Sequence, residues 1–284
     1  MNIVAALIGL YSLYIASLPK DENHPYGHGK AEFLSSATEG ALITFAGLIM
    51  LYEAIAHLIA PPEIKHLDTG LMLIAASGVV NMIVGLYSIS IGKKNNSIAL
   101  ISGGRHLLTD TYSTIGILIG LALVYFTEMN WIDSATAMIF SVFVIYTGYS
   151  ILRESISGIM DEADNKLIAE LVAYIQSIRS DKWIDIHNLR VIKYGSHLHI
   201  DCHLTLAWFM NVREGHEEQE TLHELIRKKF GDKIELFVHI DDCVPYSCMI
   251  CVRKDCAHRK NEFVKQIPLT IENMMKNEKH RIEE

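Results

Sequence analysis

The chain has 284 residues, 50% of them hydrophobic, with 25 Lys and Arg against 33 Asp and Glu for a net charge of −8. That composition excludes collagen-like, disordered and disulfide-scaffold classes, and its acidic balance supplies no basic surface for nucleic acid. Charge is unevenly placed, at 18 of the first 160 positions but 40 of the remaining 124, so residues 1–160 read as a membrane domain and the rest as water-facing.

The first part resolves into five apolar stretches near the length of about 20 residues that crosses a hydrocarbon core. They are Asn2–Leu18, Phe33–Ala60, Gly70–Gly92, Ile98–Phe126 and Ile132–Ile159, separated by PKDENHPYGHGKAE, PPEIKHLD, KKNN and TEMNW. Lys20 and Lys30 fall in the first loop, Lys93 and Lys94 in the third, and Arg153 near the last exit. The second loop has Lys65 against Glu63 and Asp68, and the fourth has no Lys or Arg. The distribution of positive charge assigns loops one and three, and the C-terminal part, to the cytoplasm. The opening MNIVAALIGL carries no charge and reads as a helix entered part-way along.

Two clusters of ionisable residues stand out in this part. His106 and Asp110 lie about two turns into the fourth span, and a spacing of four stacks them on one helical face. Such groups cost several kcal/mol in hydrocarbon unless paired, hydrated or metal-bound. The pair reads as helix–helix hydrogen-bonding glue or, preferably, as half of a tetrahedral divalent-metal site. The first loop holds Asp21, His24 and His28 with Gly27 and Gly29 between and after them, either a solvated polar turn or a second set of ligands.

The C-terminal part is expected to run helix Asn165–Ile178, strand Trp183–Tyr194, strand His197–Leu206, helix Val212–Phe230, strand Lys233–Ile240. That αββαβ order predicts a small α+β sandwich. In the second strand Leu198, Ile200, Cys202, Leu204 and Leu206 alternate with His197, His199, Asp201 and His203. One face is then core and the other a row of candidate ligands, which His239 and Asp241 join from the third strand. Residues 244–284 form a polar tail. Four of the five cysteines, Cys243, Cys248, Cys251 and Cys256, fall around its start, with His258 two residues on. An odd cysteine count on the cytoplasmic side argues against a disulfide framework. The thiolates either hold zinc or another soft ion or form a reduced, flexible tail, and their spacing matches no common zinc-finger or ferredoxin pattern. Neither His216-Glu217 nor His223-Glu224 is completed to HExxH, and GxSxG and GxxxxGK[ST] are missing, so an enzyme is not expected.

Taken together, DENHPYGHGKAE in the first loop, HxxxD in the fourth span, and IHNLRV, HIDCHL, GHEEQ and VHIDD in order further on resemble the cation diffusion facilitator family. The likeness runs from about residue 2 to residue 243. It implies a homodimer in the lipid bilayer, six spans per subunit, a cytoplasmic ferredoxin-like domain over 161–243, and export of divalent metal in exchange for protons across what is expected to be a bacterial inner membrane. Zn²⁺ is the expected substrate and regulatory ligand, with Fe²⁺, Co²⁺, Cd²⁺ and Mn²⁺ as alternatives. On the resemblance, His106 and Asp110 form the fourth-span half of the transport site, and Asp21, His24 and His28 a loop site. His187, His203, His216, His239 and Asp241 form regulatory sites. Counting back from His24 places a family ligand position on Asn2 and another four residues before it, so the reading frame is expected to extend upstream by one span that includes an acidic residue. The competing readings are a membrane-tethered metal sensor or buffer, and a truncated fragment that does not transport.

Overall fold

The computed structural model describes residues 2–59, 68–127, 129 and 131–282, with the backbone alone at residues 2–4 and 68–71. The predicted loop PPEIKHLD lies outside the described residues apart from Asp68, as do Glu128 and Asn130 of the fourth. The chain forms two compact units, Met1–Met160 with Tyr194–Ser196, and Asp161–Lys193 with His197–Glu284.

The first unit is helical: α1 (Asn2–Ala16), α2 (Ala31–Ile59), α3 (Asp68–Asn95), α4 (Ile98–Thr127) and α5 (Trp131–Ile159). All five predicted spans are helices. In α2, α3, α4 and α5 the described residues are long and apolar enough to cross a membrane. The 15 residues of α1 rise only about 22 Å at 1.5 Å each, short of a hydrocarbon core of roughly 30 Å.

These helices meet along small and polar residues and keep large apolar side chains outside. On α2 the buried seam includes Ser35, Ser36, Gly40, Ile43 and Gly47, while Leu48 and Tyr52 are exposed. A membrane gives no hydrophobic gain for apolar helix contacts, so close backbone approach and interhelical hydrogen bonds hold the bundle. At the α2–α5 crossing a Cβ on Gly40 would come within 2.6 Å of the Leu152 nitrogen, and one on Gly148 within 2.6 Å of the Thr44 nitrogen. At the α3–α4 crossing a Cβ on Gly104 would come within 2.8 Å of the Gly85 carbonyl oxygen. Polar ties join the same helices. Ser36 and Ser102 hydroxyls are 2.8 Å apart, Thr111 donates to the Gly78 carbonyl at 3.2 Å, and Arg105 donates to Glu154 at 2.6 Å. Glu32, at the start of α2, accepts from the Ser97 hydroxyl at 2.5 Å and the Ala99 amide at 3.3 Å, placing a carboxylate at the positive end of the α4 dipole.

The second unit contains α6 (Asn165–Ile178), β1 (Asp185–Tyr194), β2 (His197–Leu206), α7 (Val212–Phe230) and β3 (Ile234–Asp242). The predicted αββαβ order holds, with β1 starting two residues later and β3 running two residues further than expected. The strands lie in the order β1-β2-β3. A two-residue connection between β1 and β2 makes that pair antiparallel. β2 and β3 are parallel, with His203 opposite His239, and α7 provides the long crossover a parallel pair needs.

Helix ends follow from local chemistry. Asp164 caps α6 by accepting from the Lys166 and Leu167 amides, and Asn211 with Glu214 forms a capping box on α7. Ile168, Leu171, Val172 and Ile175 of α6 and Leu222 and Ile226 of α7 pack against Ile186, Leu189, Ile200, Leu204 and Leu236 of the sheet. The other sheet face is left for polar residues.

The segment after β3 is folded onto this unit. Pro245–Met249 forms a 3₁₀ turn and Ile271–Met274 a short helix, α8. Leu269 and Met274 enter the main core, and Ile250, Cys251, Ile267 and Ile282 pack around Ile184. The sequence reading set residues 244–284 apart as a polar tail; its spaced apolar residues tie it to the sheet and α6 instead.

Candidate metal centres

In the membrane unit His106 is buried on α4 and its Nε2 lies 3.8 Å from Asp110 Oδ2. The spacing of four therefore produces the predicted pair. Asn2 begins α1, but its side chain lies outside the described residues, and no third ligand group joins His106 and Asp110 among the described ones. The sequence reading passed over Glu39. It is buried on α2, its Oε1 would lie 3.3 Å from a Cβ on Gly9, and its Oε2 has no hydrogen-bond partner among the described residues. A buried carboxylate in a membrane-length helix is a costly group, and the signal was an acidic residue, one of two with Glu53, inside the second apolar stretch.

The first loop gathers Asp21, His24 and His28, with ligand atoms all within 4.8 Å of one another. His24 Nδ1 is 3.0 Å and His28 Nε2 3.4 Å from the Asp21 carboxylate, and the two rings lie with centroids 4.2 Å apart, tilted by 42°. The backbone builds this arrangement: Asp21 Oδ1 accepts from the Asn23 and His24 amides, an Asx turn, and Gly27 adopts φ +88°. Desolvation opposes the Asp21 charge, but the His24 amide and imidazole together with the Asn23 amide outweigh it and hold the carboxyl below its usual range.

The largest cluster stands on the polar face of the sheet. His187 Nε2 and His203 Nδ1 lie 3.3 and 3.2 Å from Asp241 Oδ2, and the three offer ligand atoms within 4.8 Å of one another. His239 sits at the rim, its Nε2 3.6 Å from Asp241 Oδ1 and its ring centroid 4.7 Å from that of His203. His216 is exposed on α7 and is not in this cluster among the described residues.

Strict alternation does not account for the β1 side of this cluster. Asn188 takes φ +52°, a local irregularity of the kind a bulge makes, and the inward positions run Ile186, Leu189, Val191. His187 and Asn188 consequently both reach the polar face: Asn188 Nδ2 lies 3.0 Å from His203 Nε2. Behind His187, Asp185 Oδ2 is 3.4 Å from Nδ1, and Asp185 also holds His280, whose Nδ1 is 2.5 Å from Oδ1. Burial opposes the Asp185 charge, but the close imidazoles of His187 and His280 and the His280 amide, which donates to Oδ2 at 2.9 Å, overcome it and push the carboxyl far below the usual range. Burial works against the charge of His280 too, and Asp185 reverses that and raises it. Asp185, Asn188 and His280 were missed by the sequence reading. The broken alternation after Ile186 was a signal for Asn188; nothing local pointed to His280, which arrives from 95 residues away.

The cysteines divide. Cys202 faces the core from β2, and burial, with Asp201 nearby, pushes its thiol up to about 12, which makes it inert. Cys243, Cys248, Cys251 and Cys256 line a single cavity beside Ile184. Burial raises Cys243, and the other three thiols add to the shift.

Residues 1–160 match the cation efflux transmembrane domain, and residues 163–243 the cation efflux protein cytoplasmic domain. An uncharacterized transporter of Synechocystis is 31% identical over 81% of this chain and 74% of its own length. The manganese efflux system protein MneP of Bacillus subtilis is 27% identical over 84% of this chain and 82% of its own. A cadmium, cobalt and zinc/H(+)-K(+) antiporter of Bacillus velezensis is 24% identical over 81% and 72%. Bearing both domains in order, the chain belongs to the cation efflux family, the cation diffusion facilitators, and is a membrane transporter of cations, not an enzyme.

Proposed function

We propose that the chain exports divalent metal, Zn²⁺ foremost, in exchange for protons, as a homodimer in a bacterial inner membrane with its second unit in the cytoplasm. The observation that carries this reading is the His106–Asp110 pair on α4, inside the segment that matches the family's transmembrane domain. One nitrogen and one oxygen ligand suit Zn²⁺, whereas an all-oxygen set favours Mn²⁺. Mn²⁺ is the second reading, favoured by the manganese efflux relative. Asn2 is a further ligand position on this reading.

Proton coupling follows from competition for the same atoms. An imidazole ligates only when neutral and a carboxylate only when ionised, so metal arrival releases protons, and protons delivered from the other side release metal. Alternating access around a fixed intramembrane site makes that exchange vectorial.

The loop triad Asp21, His24 and His28 is a cytoplasmic docking site for the metal on this reading. His187, His203 and Asp241, with His239 at the rim, hold a regulatory ion. Two imidazoles and a carboxylate are a fitting donor set for zinc, and the Asp185 contact to His187 Nδ1 leaves Nε2 facing Asp241. His216, exposed on α7, is left for contacts outside this cluster.

Everted membrane vesicles test the reading. Zn²⁺ accumulation that saturates and requires a pH gradient is expected, and His106→Ala abolishes it. Undiminished flux in that variant overturns the site. Stoichiometric binding without accumulation indicates a tethered sensor or buffer, and Mn²⁺ accumulation in preference to Zn²⁺ reassigns the substrate.

A further inference from the structure

We propose that Cys243, Cys248, Cys251 and Cys256 form a closed tetrahedral thiolate site for one resident Zn²⁺ that fastens the segment after β3 onto the second unit. The four thiols come from separate points along this segment. Cys243 follows β3, with its amide donating to the Leu206 carbonyl at 2.9 Å. Cys248 lies within the 3₁₀ turn and Cys251 two residues beyond it, a CxxC pair, and Cys256 lies between the turns at 254–255 and 257–258. No three of the four sulfurs lie within 4.8 Å of one another, so binding draws them together around the ion, but all four line one cavity of about 20 Å³. That is room for a single water-sized occupant, an ion and not an iron–sulfur cluster. The cysteines are all free, and although Cys251 and Cys243 also pack beside Ile184, four thiols around one small cavity are more than packing requires.

Three further observations point to an anionic metal centre. Backbone amides are aimed at sulfur: Trp208 donates to Cys243 Sγ at 3.5 Å and Lys260 to Cys248 Sγ at 3.4 Å. Amide donors favour thiolate over thiol, because charged acceptors make the stronger hydrogen bonds. Arg259 straps the loop, donating to the Cys248 carbonyl at 2.7 Å, the Cys251 carbonyl at 3.0 Å and the Arg253 carbonyl at 2.5 Å. Arg253 and Arg259 also line the cavity. Zn²⁺ with four thiolates has a net charge of −2, which Arg259 and Arg253, the latter also paired with Asp255 at 3.2 Å, offset in part. Loading releases the four thiol protons to solvent and involves no redox step.

A site with four protein ligands has no open position, so its ion is structural and not cargo. Its binding energy becomes folding energy for residues 243–282. That segment delivers His280 to Asp185 behind His187, so the site also steadies the wall of the histidine cluster.

Full-length protein, purified in detergent, reduced and loaded with Co²⁺ as a probe, should show sulfur-to-cobalt charge-transfer absorption and intense tetrahedral visible bands. Added Zn²⁺ should bleach them. Cys248→Ser and Cys256→Ser, at partly exposed positions that leave the core intact, should each lose most of the charge-transfer intensity, and His203→Ala should retain it. In the unsubstituted protein, Zn²⁺ should slow thiol labelling of the tail cysteines at least tenfold. Absence of charge-transfer absorption, its survival in both cysteine variants, an iron-based chromophore in the purified protein, or labelling unaffected by Zn²⁺ would each overturn the proposal. None of these readouts depends on transport.

Discussion

The two units are packed by different means. In the second, the interior is made of large apolar side chains, Trp183, Leu171, Ile175, Leu204, Leu222 and Ile226 among them, each no more than 1% exposed, and the polar groups stand on the outer sheet face. In the first, the interior seams are mostly Ser, Thr, Gly and a few ionisable residues around a small apolar cluster of Ile43, Val144 and Ile151, while Leu48, Tyr52, Ile83, Leu86 and Tyr146 are exposed. Water drives the first arrangement; lipid tails, as apolar as leucine, remove that drive and leave close packing and hydrogen bonding. A ligand cluster is therefore cheap to build on the second unit's sheet and expensive inside the first, where His106, Asp110 and Glu39 are conspicuous.

Substitutions of opposite sense separate these two ways of packing. Ile175→Ala opens a cavity in a fully buried site and should cost the second unit about 2–5 kcal/mol, read as a lowered apparent melting midpoint of the full chain in detergent. A loss under about 1 kcal/mol would mean that this core is loosely packed. In the first unit the damaging change is enlargement. Gly148→Leu forces a side chain onto the Thr44 backbone and should cost about 1–3 kcal/mol by overpacking, with loss of efflux in vesicles. Gly148→Ala should retain part of that activity. Full activity in the leucine variant would show that α2 and α5 are not in close contact in the working transporter.

A smaller effect sharpens the contrast at the sheet. Asn188→Gly keeps the positive φ that Asn188 adopts at +52° and removes only the amide beside His203. Supporting partners of this kind typically contribute about 10–100-fold in metal affinity. Titration of the full chain with Zn²⁺ should show that weakening in the regulatory site, with no change in vesicle transport through His106. Unchanged affinity would reduce Asn188 to a backbone role.

Periodicity and charge made much of this legible. Five helices were readable because membrane-length apolar runs have little alternative, and the αββαβ order because its strands alternate cleanly at His197–Leu206. Fixed spacings gave His106 with Asp110 and the loop triad, since three or four residues along one turn fix the geometry locally. Legibility failed where the chain departs from period. The irregularity at Asn188 moved one residue onto the ligand face, and Asp185–His280 joins positions that no local pattern connects. The segment after Cys243 was read as a tail because its apolar residues, Ile250, Ile267, Leu269 and Met274, are too widely spaced to register as an element, although they are enough to anchor it.

The smallest effect expected is at the entrance to the second unit. Asp164 accepts from the Lys166 and Leu167 amides and pairs with Lys193 at 2.5 Å. Desolvation opposes its charge, but the Lys193 side chain and the two amides prevail and lower its pKa from the ordinary 3.8. A depressed folded-state pKa adds stability above the unfolded value that is lost as pH falls through the folded value. Asp164→Ala should therefore cost about 1 kcal/mol near neutrality, the usual worth of an N-cap, with little added by the ion pair because it is largely exposed to screening. The gap in melting midpoint between the two proteins should narrow as pH drops below 3.8. Asp164→Asn, which keeps an amide-accepting oxygen without charge, should recover most of the loss and show no such narrowing. A gap that is constant with pH would assign the effect to helix geometry alone.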